Sequence, residues 1–378
     1  MPPVNILIKP ASSACNMSCK YCFYRDVAEN REEAFAGMLS PEAMERVIIA
    51  GMEYAEGICS FAFQGGEPTL AGLDFFRTVV ELEQKHAKPG VEIRNALQTN
   101  GTFIDEEWAK FLADNHFLVG LSLDGPADLH NMNRIDSRGG DTFNKVVRAA
   151  RLFEKYGVEY NILCVVTGKN ARSIEKIYRF YRKNGFKWLQ FIPCLEPLSA
   201  ERGESPYALT VDVYGEYLVR VFDLWFSDLK KGEYISVRHL DNWLSILFGE
   251  PPEVCSMVGH CSVQFVVEGD GGVYPCDFYV LDRWRMGTVG EQSFAQMIES
   301  AAAHDFVDGS YHIPEECRGC RYGAVCRNGC RRDRIVQADG TIGKNYYCAA
   351  YKKFFGSRER ELGEAMRIIA RMRQGVNR

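Results

Sequence analysis

The chain has 378 residues, 46% hydrophobic and 25% charged, the ordinary balance of a folded protein with room for about two or three domains. Its net charge of −5 excludes a broadly basic nucleic-acid binder, and no run of about 18 apolar residues exists to span a membrane. One count is abnormal: of 14 cysteines, three stand at Cys15, Cys19 and Cys22, eight lie between Cys255 and Cys348, and Cys59, Cys164 and Cys194 stand alone. The N-terminus has no positively charged start, and its short apolar run breaks at Lys9-Pro10, so no export signal is expected. Ser12-Ser13-Ala14-Cys15 resembles a lipoprotein cleavage site only superficially, because no apolar segment precedes it. A cytoplasmic, reducing location follows, where clustered cysteines bind metal more often than they pair.

In chain order, Val4–Ile8, Cys59–Phe63, Val91–Leu97, Leu118–Leu123, Glu159–Val166 and Trp188–Ile192 read as strands. Amphipathic stretches separate them. Ser40-Pro41-Glu42 supplies a cap, a proline at the first helical position and an early acid, and Asp105, Asp141 and Ser173 are further expected caps. Such alternation implies a parallel sheet with right-handed crossovers. Six units fall short of the eight that close a barrel, so the expected fold is α/β, a partial (β/α)6 barrel over residues 1–234 with a small cysteine-rich domain over residues 235–378. A helix is expected over Val211–Lys230, capped by Thr210, and an antiparallel hairpin where Val263–Val267 and Val273–Pro275 flank Gly269-Asp270-Gly271-Gly272. From there to Cys348 little periodicity remains, so metal is expected to hold the segment. The tail from Ala349 reads as a basic amphipathic helix packed by one edge.

The loop Cys15-x3-Cys19-x2-Cys22 directly follows the first strand. A structural zinc wants four ligands and no fourth Cys or His is near, whereas a four-iron cluster can keep one iron open; spacing leaves both centres possible. Gln64-Gly65-Gly66-Glu67-Pro68 leaves the second strand, where glycines admit a ligand to the backbone and a carboxylate can pair with an ammonium; a plain turn is the alternative. Thr99-Asn100-Gly101 and Ser122-Leu123-Asp124-Gly125 leave the third and fourth strands. All four exits mark the rim where α/β barrels place active sites. Arg134 offers a bidentate fork for a carboxylate, or a surface ion pair. The eight later cysteines run Cys255-x5-Cys261-x14-Cys276 and Cys317-x2-Cys320-x5-Cys326-x3-Cys330-x17-Cys348, enough for two closed centres, iron–sulfur or zinc. Arg318, Arg321, Arg327, Arg331, Arg332 and Arg334 crowd the second group, where their charge would raise a cluster's potential or merely keep the surface soluble. Cys59 and Cys164 read as packing, and Cys194 stands at a strand exit. Asp277, next to Cys276, is either a turn former or a base beside an electron acceptor.

The string Cys15-Asn16-Met17-Ser18-Cys19-Lys20-Tyr21-Cys22 resembles the cluster loop of radical S-adenosylmethionine enzymes, in which the open iron binds the methionine moiety and an electron releases a 5′-deoxyadenosyl radical. By that resemblance Gly65, Gly66 and Glu67 hold the methionine amino group, Ser122 and Arg134 the ribose and carboxylate end, and Tyr21 and Leu195 line the adenine end. The eight cysteines resemble a SPASM-type extension, which implies one cluster on Cys255, Cys261, Cys276 and Cys330 and another on Cys317, Cys320, Cys326 and Cys348, hence three [4Fe-4S] clusters. Leu7-Ile8-Lys9-Pro10-Ala11-Ser12-Ser13, the stretch Phe61 to Gly72, and Val273-Tyr274-Pro275-Cys276-Asp277-Phe278-Tyr279 are similar to anaerobic sulfatase-maturating enzymes. That similarity implies Asp277 as the catalytic base, with Tyr24 and Gln64 near the substrate side chain. It implies oxidation of a Cys or Ser to Cα-formylglycine in an unfolded sulfatase polypeptide, at a Cys/Ser-x-Pro/Ala-type motif. It further implies a reducing donor such as a flavodoxin or ferredoxin, in an anaerobic cytoplasm. The alternative is another radical peptide maturase, for example a thioether-forming one; many of those carry an added recognition domain, and only a few residues precede Val4 here. A non-enzymatic metal scaffold is the third reading.

Overall fold

The computed structural model describes residues 3–337 and 340–376. All six expected strands form, with ends shifted by a residue or two: β1 (Val4–Ile8), β2 (Ile58–Phe63), β3 (Glu92–Thr99), β4 (Leu118–Ser122), β5 (Tyr160–Val166) and β6 (Trp188–Pro193). Each pairs in parallel with the next. Ile8 faces Phe63, Thr99 faces Leu121, Ser122 faces Leu163 and Val166 faces Pro193, so the C-terminal ends gather at one rim.

The sheet does not stop at six strands. The two-residue β7 (Ser236–Val237) pairs with β6 just beyond residue 234. On the other edge β8 (Val266–Val267) lies parallel to β1 and continues antiparallel into β9 (Gly272–Tyr274) and β10 (Gly287–Thr288). The expected hairpin is β8–β9, and one ten-stranded open sheet thus runs through both parts of the chain. A buried ion triad ties the hairpin to the barrel: Lys9 and Arg31 both pair with Glu268. Burial alone would raise the Glu268 carboxyl, but the two cations hold it below the usual carboxylate range. Lys9, which in sequence only interrupts an apolar run, is 2% exposed.

Alternate residues of the strands pack under the helices. Helix Pro41–Tyr54 approaches β1 and β2 so closely that a Cβ on Gly51 would sit 2.8 Å from Ile6 and 3.1 Å from the Cys59 sulfur. Cys59 and Cys164 are buried in this core, as expected of small hydrophobes, and Cys194 is buried too. Ser40 and Asp105 cap their helices by accepting from the amides of Ala43 and Trp108. Asp141 does not cap. Helix Phe143–Tyr156 begins after Thr142, and Asn131, on the preceding helix, accepts from the Thr142 and Phe143 amides. Ser173 and Thr210 stand at the N-cap positions of Ile174–Lys183 and Val211–Lys230 but make no side-chain cap bond.

The segment before Cys348 also holds some apolar packing that its composition does not display. Two short helices, Phe294–Ile298 and Ala301–Asp308, bury Phe294, Met297, Ala303 and Phe306. The tail is a kinked helix, Cys348–Val376, which packs Ala350, Phe354 and Phe355 toward Val211–Lys230 and holds Asp223 with both nitrogens of the Arg358 fork at 2.7 and 2.8 Å. No described helix is long and apolar enough to cross a membrane.

Candidate active site

The cysteine loop leaves β1 and crosses the rim. It is fixed by backbone bonds: Ser18 N–H donates to Ile135 O at 2.8 Å, Lys20 N–H to Asn133 O at 3.1 Å, and Glu67 N–H to Ala14 O at 2.8 Å. The last contact explains Gly66, where φ is +26° and a Cβ would lie 2.1 Å from Ala14 O. We expect Gly66→Ala to displace the loop, so that protein reconstituted anaerobically takes up less iron than the wild type; iron analysis checks this.

Inside the loop opens a cavity of about 140 Å³. All three loop cysteines line it, as do Tyr21, Gly65, Gly66, Glu67, Ser122, Arg134 and Leu195, every residue expected at the cofactor. Tyr24 and Gln64, expected near substrate, line it as well, with Phe278 beside them. Glu67 is 1% exposed. Its Oε1 accepts from Thr69 N–H at 3.2 Å and from the Thr69 and Thr99 hydroxyls at 2.6 and 2.7 Å, and its Oε2 from Asn100 N–H at 2.8 Å. These neutral donors fix the carboxylate without supplying a positive charge, and burial raises its pKa.

Arg134 is buried rather than a surface ion-pair residue. Its Nε lies 3.1 Å from the carboxylate of Asp124, which is wholly buried and also accepts from the Tyr21 hydroxyl. The other Asp124 oxygen accepts from Val165 N–H at 3.0 Å. A second circuit closes the arrangement: Asp124 N–H donates to His130 Nδ1 at 3.2 Å, His130 Nε2 meets Thr142 Oγ1 at 3.0 Å, and that hydroxyl donates to Arg134 O at 2.7 Å. Asp124 therefore orients both Tyr21 and Arg134. Sequence reasoning placed it only within a strand-exit motif; an acid ten residues before Arg134, at the same rim, was the available signal. Asp124→Ala strands a buried guanidinium and is expected to cost about 3–5 kcal/mol, read as a fall in the denaturant midpoint of the anaerobic protein.

Asp277 is also buried. Its Oδ2 accepts from the Tyr24 hydroxyl at 2.7 Å and from Gln64 Nε2 at 2.9 Å, while its Oδ1, buried, has no hydrogen-bond partner. Burial raises the carboxyl to about 6, against the pull of nearby Lys9. The two residues expected near the substrate thus hold the expected base and leave one lone-pair face free.

The later cysteines fall into two electrostatic groups. Burial raises the thiols of Cys276 and Cys330; the charges acting on Cys276 include Cys330 and Cys255, and those acting on Cys330 include Cys255 and Cys261. Cys317 and Cys326 are raised by burial and by Cys320 and Cys348. Cys330 therefore groups with the earlier cysteines, not with its sequence neighbours Cys317, Cys320 and Cys326. Among the described residues no three His, Cys, Asp or Glu side chains converge on a single-ion site. All-thiol sets of three, four and four fit iron–sulfur ligation. The arginines depart from expectation. Arg318 and Arg321 turn outward to Glu315 and Glu359, whereas Arg331 and Arg334 act on Cys261, in the other set.

Residues 10–181 match the radical SAM superfamily, and residues 255–321 match the SPASM iron–sulfur cluster-binding domain. The first span carries the three-cysteine loop and the rim motifs, so the protein is a radical S-adenosylmethionine enzyme whose cofactors are S-adenosylmethionine and iron–sulfur clusters. It is 50% identical to the cysteine-type anaerobic sulfatase-maturating enzyme of Clostridium perfringens (strain 13 / Type A), over 94% of this chain and 96% of that protein. It is 31% identical to the serine-type enzyme of Bacteroides thetaiotaomicron, over 93% and 89%. The solved structure of native anSMEcpe with bound AdoMet and Cp18Cys peptide superposes with a TM-score of 0.93 at 48% identity, covering 97% of this chain and all of that one. The chain belongs to the anaerobic sulfatase-maturating enzymes.

Proposed function

We propose that the protein oxidises a cysteine of a sulfatase peptide to Cα-formylglycine. The observation that carries this reading is Asp277, a buried carboxylate adjacent in sequence to Cys276, with one oxygen held by Tyr24 and Gln64, which line the cavity of the three-cysteine loop, and the other unpartnered. Greater identity to a cysteine-type relative than to a serine-type one supports the choice of cysteine. Residues 1–234 form the barrel unit and residues 235–378 the auxiliary-cluster unit in this reading. A flavodoxin- or ferredoxin-like donor and a cytoplasmic setting suit the many free thiols; neither nucleic acid nor membrane is a partner.

Cys15, Cys19 and Cys22 would hold the cluster that leaves one iron open; Glu67 would receive the ammonium of S-adenosylmethionine, Arg134 its carboxylate, Ser122 its ribose, and Tyr21 and Leu195 its adenine. When bound, this group supplies a carbon radical able to take a hydrogen atom, and the auxiliary clusters supply an electron sink. The chain's own part is to place the substrate Cβ over the cavity and to receive the thiol proton at Asp277 Oδ1. The substrate gives up one hydrogen atom, one proton and one electron, leaving a thioaldehyde. Water then replaces sulfur, releasing hydrogen sulfide and the aldehyde. Mass spectrometry of a cysteine-containing sulfatase-motif peptide, incubated anaerobically with cofactor and reductant, tests this. Loss of two hydrogens and one sulfur with gain of one oxygen is expected; a crosslink with the sulfur retained would contradict it.

A further inference from the structure

Arg334 is only 4% exposed. Its guanidinium donates to four carbonyl oxygens, those of Ser310 at 2.6 Å, Gly259 at 2.7 Å, Gly329 at 2.9 Å and Asn328 at 3.2 Å. Carbonyls satisfy its donors but bring no net negative charge, and a buried cation without a counter-charge is expensive. No carboxylate of the described residues pairs with it; the adjacent Asp333 faces Arg202 and Arg332 instead. The negative charges that bear most on Arg334 are the thiols of Cys261 and Cys330, ahead of Cys317 in the other set. The accepting carbonyls belong to the same loops. Gly259 lies two residues before Cys261, Gly329 directly precedes Cys330, and the Ser310 hydroxyl accepts from Cys261 N–H at 2.8 Å.

We propose that Arg334 is the built-in counter-charge of the set Cys255, Cys261, Cys276 and Cys330, and the residue that makes this set the favoured acceptor of the substrate's electron. The proposal rests on the reading that this set holds a four-iron cluster. A cluster on four thiolates is anionic and gains one more negative charge on reduction. A fixed buried cation therefore stabilises the reduced form and raises the potential. The placement is directional, because Cys276 precedes Asp277, so the proton acceptor and the electron acceptor stand side by side. Arg334 acts through the cluster and its loops and touches no substrate, which makes it a positioning residue.

An EPR-monitored redox titration of the full chain, reconstituted anaerobically, tests it in Arg334→Gln and Arg334→Lys, with Arg321→Gln as a control for distant charge. The signal of this set is identified by its loss in Cys330→Ala. In Arg334→Gln the reduced-to-oxidised ratio of that cluster at a fixed potential should fall at least tenfold, about 59 mV for a one-electron couple, while the other clusters and the Arg321→Gln control stay put. Arg334→Lys keeps the charge and should retain the wild-type potential even if the loaded protein is less stable. A fully loaded Arg334→Gln protein with an unmoved potential overturns the proposal. If Arg334→Gln does not load, a Lys variant whose potential differs from wild type overturns it. Wild-type protein without iron on this set would instead overturn the cluster reading, and iron analysis separates the two failures.

Discussion

Asp277→Asn is expected to keep releasing 5′-deoxyadenosine while its yield of aldehyde falls by on the order of 10²–10⁴. The exchange is nearly isosteric. The amide oxygen can still accept from Tyr24 and Gln64 in the place of Oδ2, but the unpartnered acceptor at Oδ1 becomes an N–H donor, which cannot take a thiol proton. Nothing in the exchange touches the three-cysteine loop, so the steps that precede proton removal should survive. Chromatography of 5′-deoxyadenosine alongside mass spectrometry of the peptide measures both quantities in one incubation. Normal aldehyde formation in this variant would remove Asp277 from the reaction.

Cys19→Ala should abolish both products. Three thiols are the whole set on that loop, so losing one removes the centre rather than weakening it. The rest of the protein should stay folded, because the loop is held by backbone bonds to Asn133 and Ile135 and by the Ala14–Glu67 contact, none of which uses a thiol. About a third of the iron should disappear, with the signals of the eight C-terminal cysteines intact. A Cys19→Ala protein that still forms 5′-deoxyadenosine would show that the cofactor is activated elsewhere.

The barrel strands were legible because each is a short β-branched run with polar or glycine residues at its exit. The two short helices at Phe294–Ile298 and Ala301–Asp308 were not, since five and eight residues offer too few turns to display a period. Caps were legible at Ser40 and Asp105; they failed at Asp141, because Asn131 reaches over from another helix, and at Ser173 and Thr210, which hold the cap position without making the bond. The same distinction runs through the site. Residues in local motifs, such as Cys15, Gly66 and Asp277, announced themselves. Asp124 and Lys9 did not, because their roles depend on partners brought near only by the fold: Arg134 and Tyr21 for the one, Glu268 for the other. The arginines near Cys317 were misassigned for that reason. Sequence proximity grouped them with the nearest cysteines, while the backbone carries Arg331 and Arg334 toward Cys261.

The most direct measurement is isotope transfer from a sulfatase-motif peptide whose cysteine carries deuterium at Cβ. If the site removes that hydrogen as an atom while Asp277 takes only the thiol proton, deuterium should appear in 5′-deoxyadenosine in step with aldehyde formation, and the aldehyde should keep one deuterium. Aldehyde accompanied by unlabelled 5′-deoxyadenosine would contradict the account.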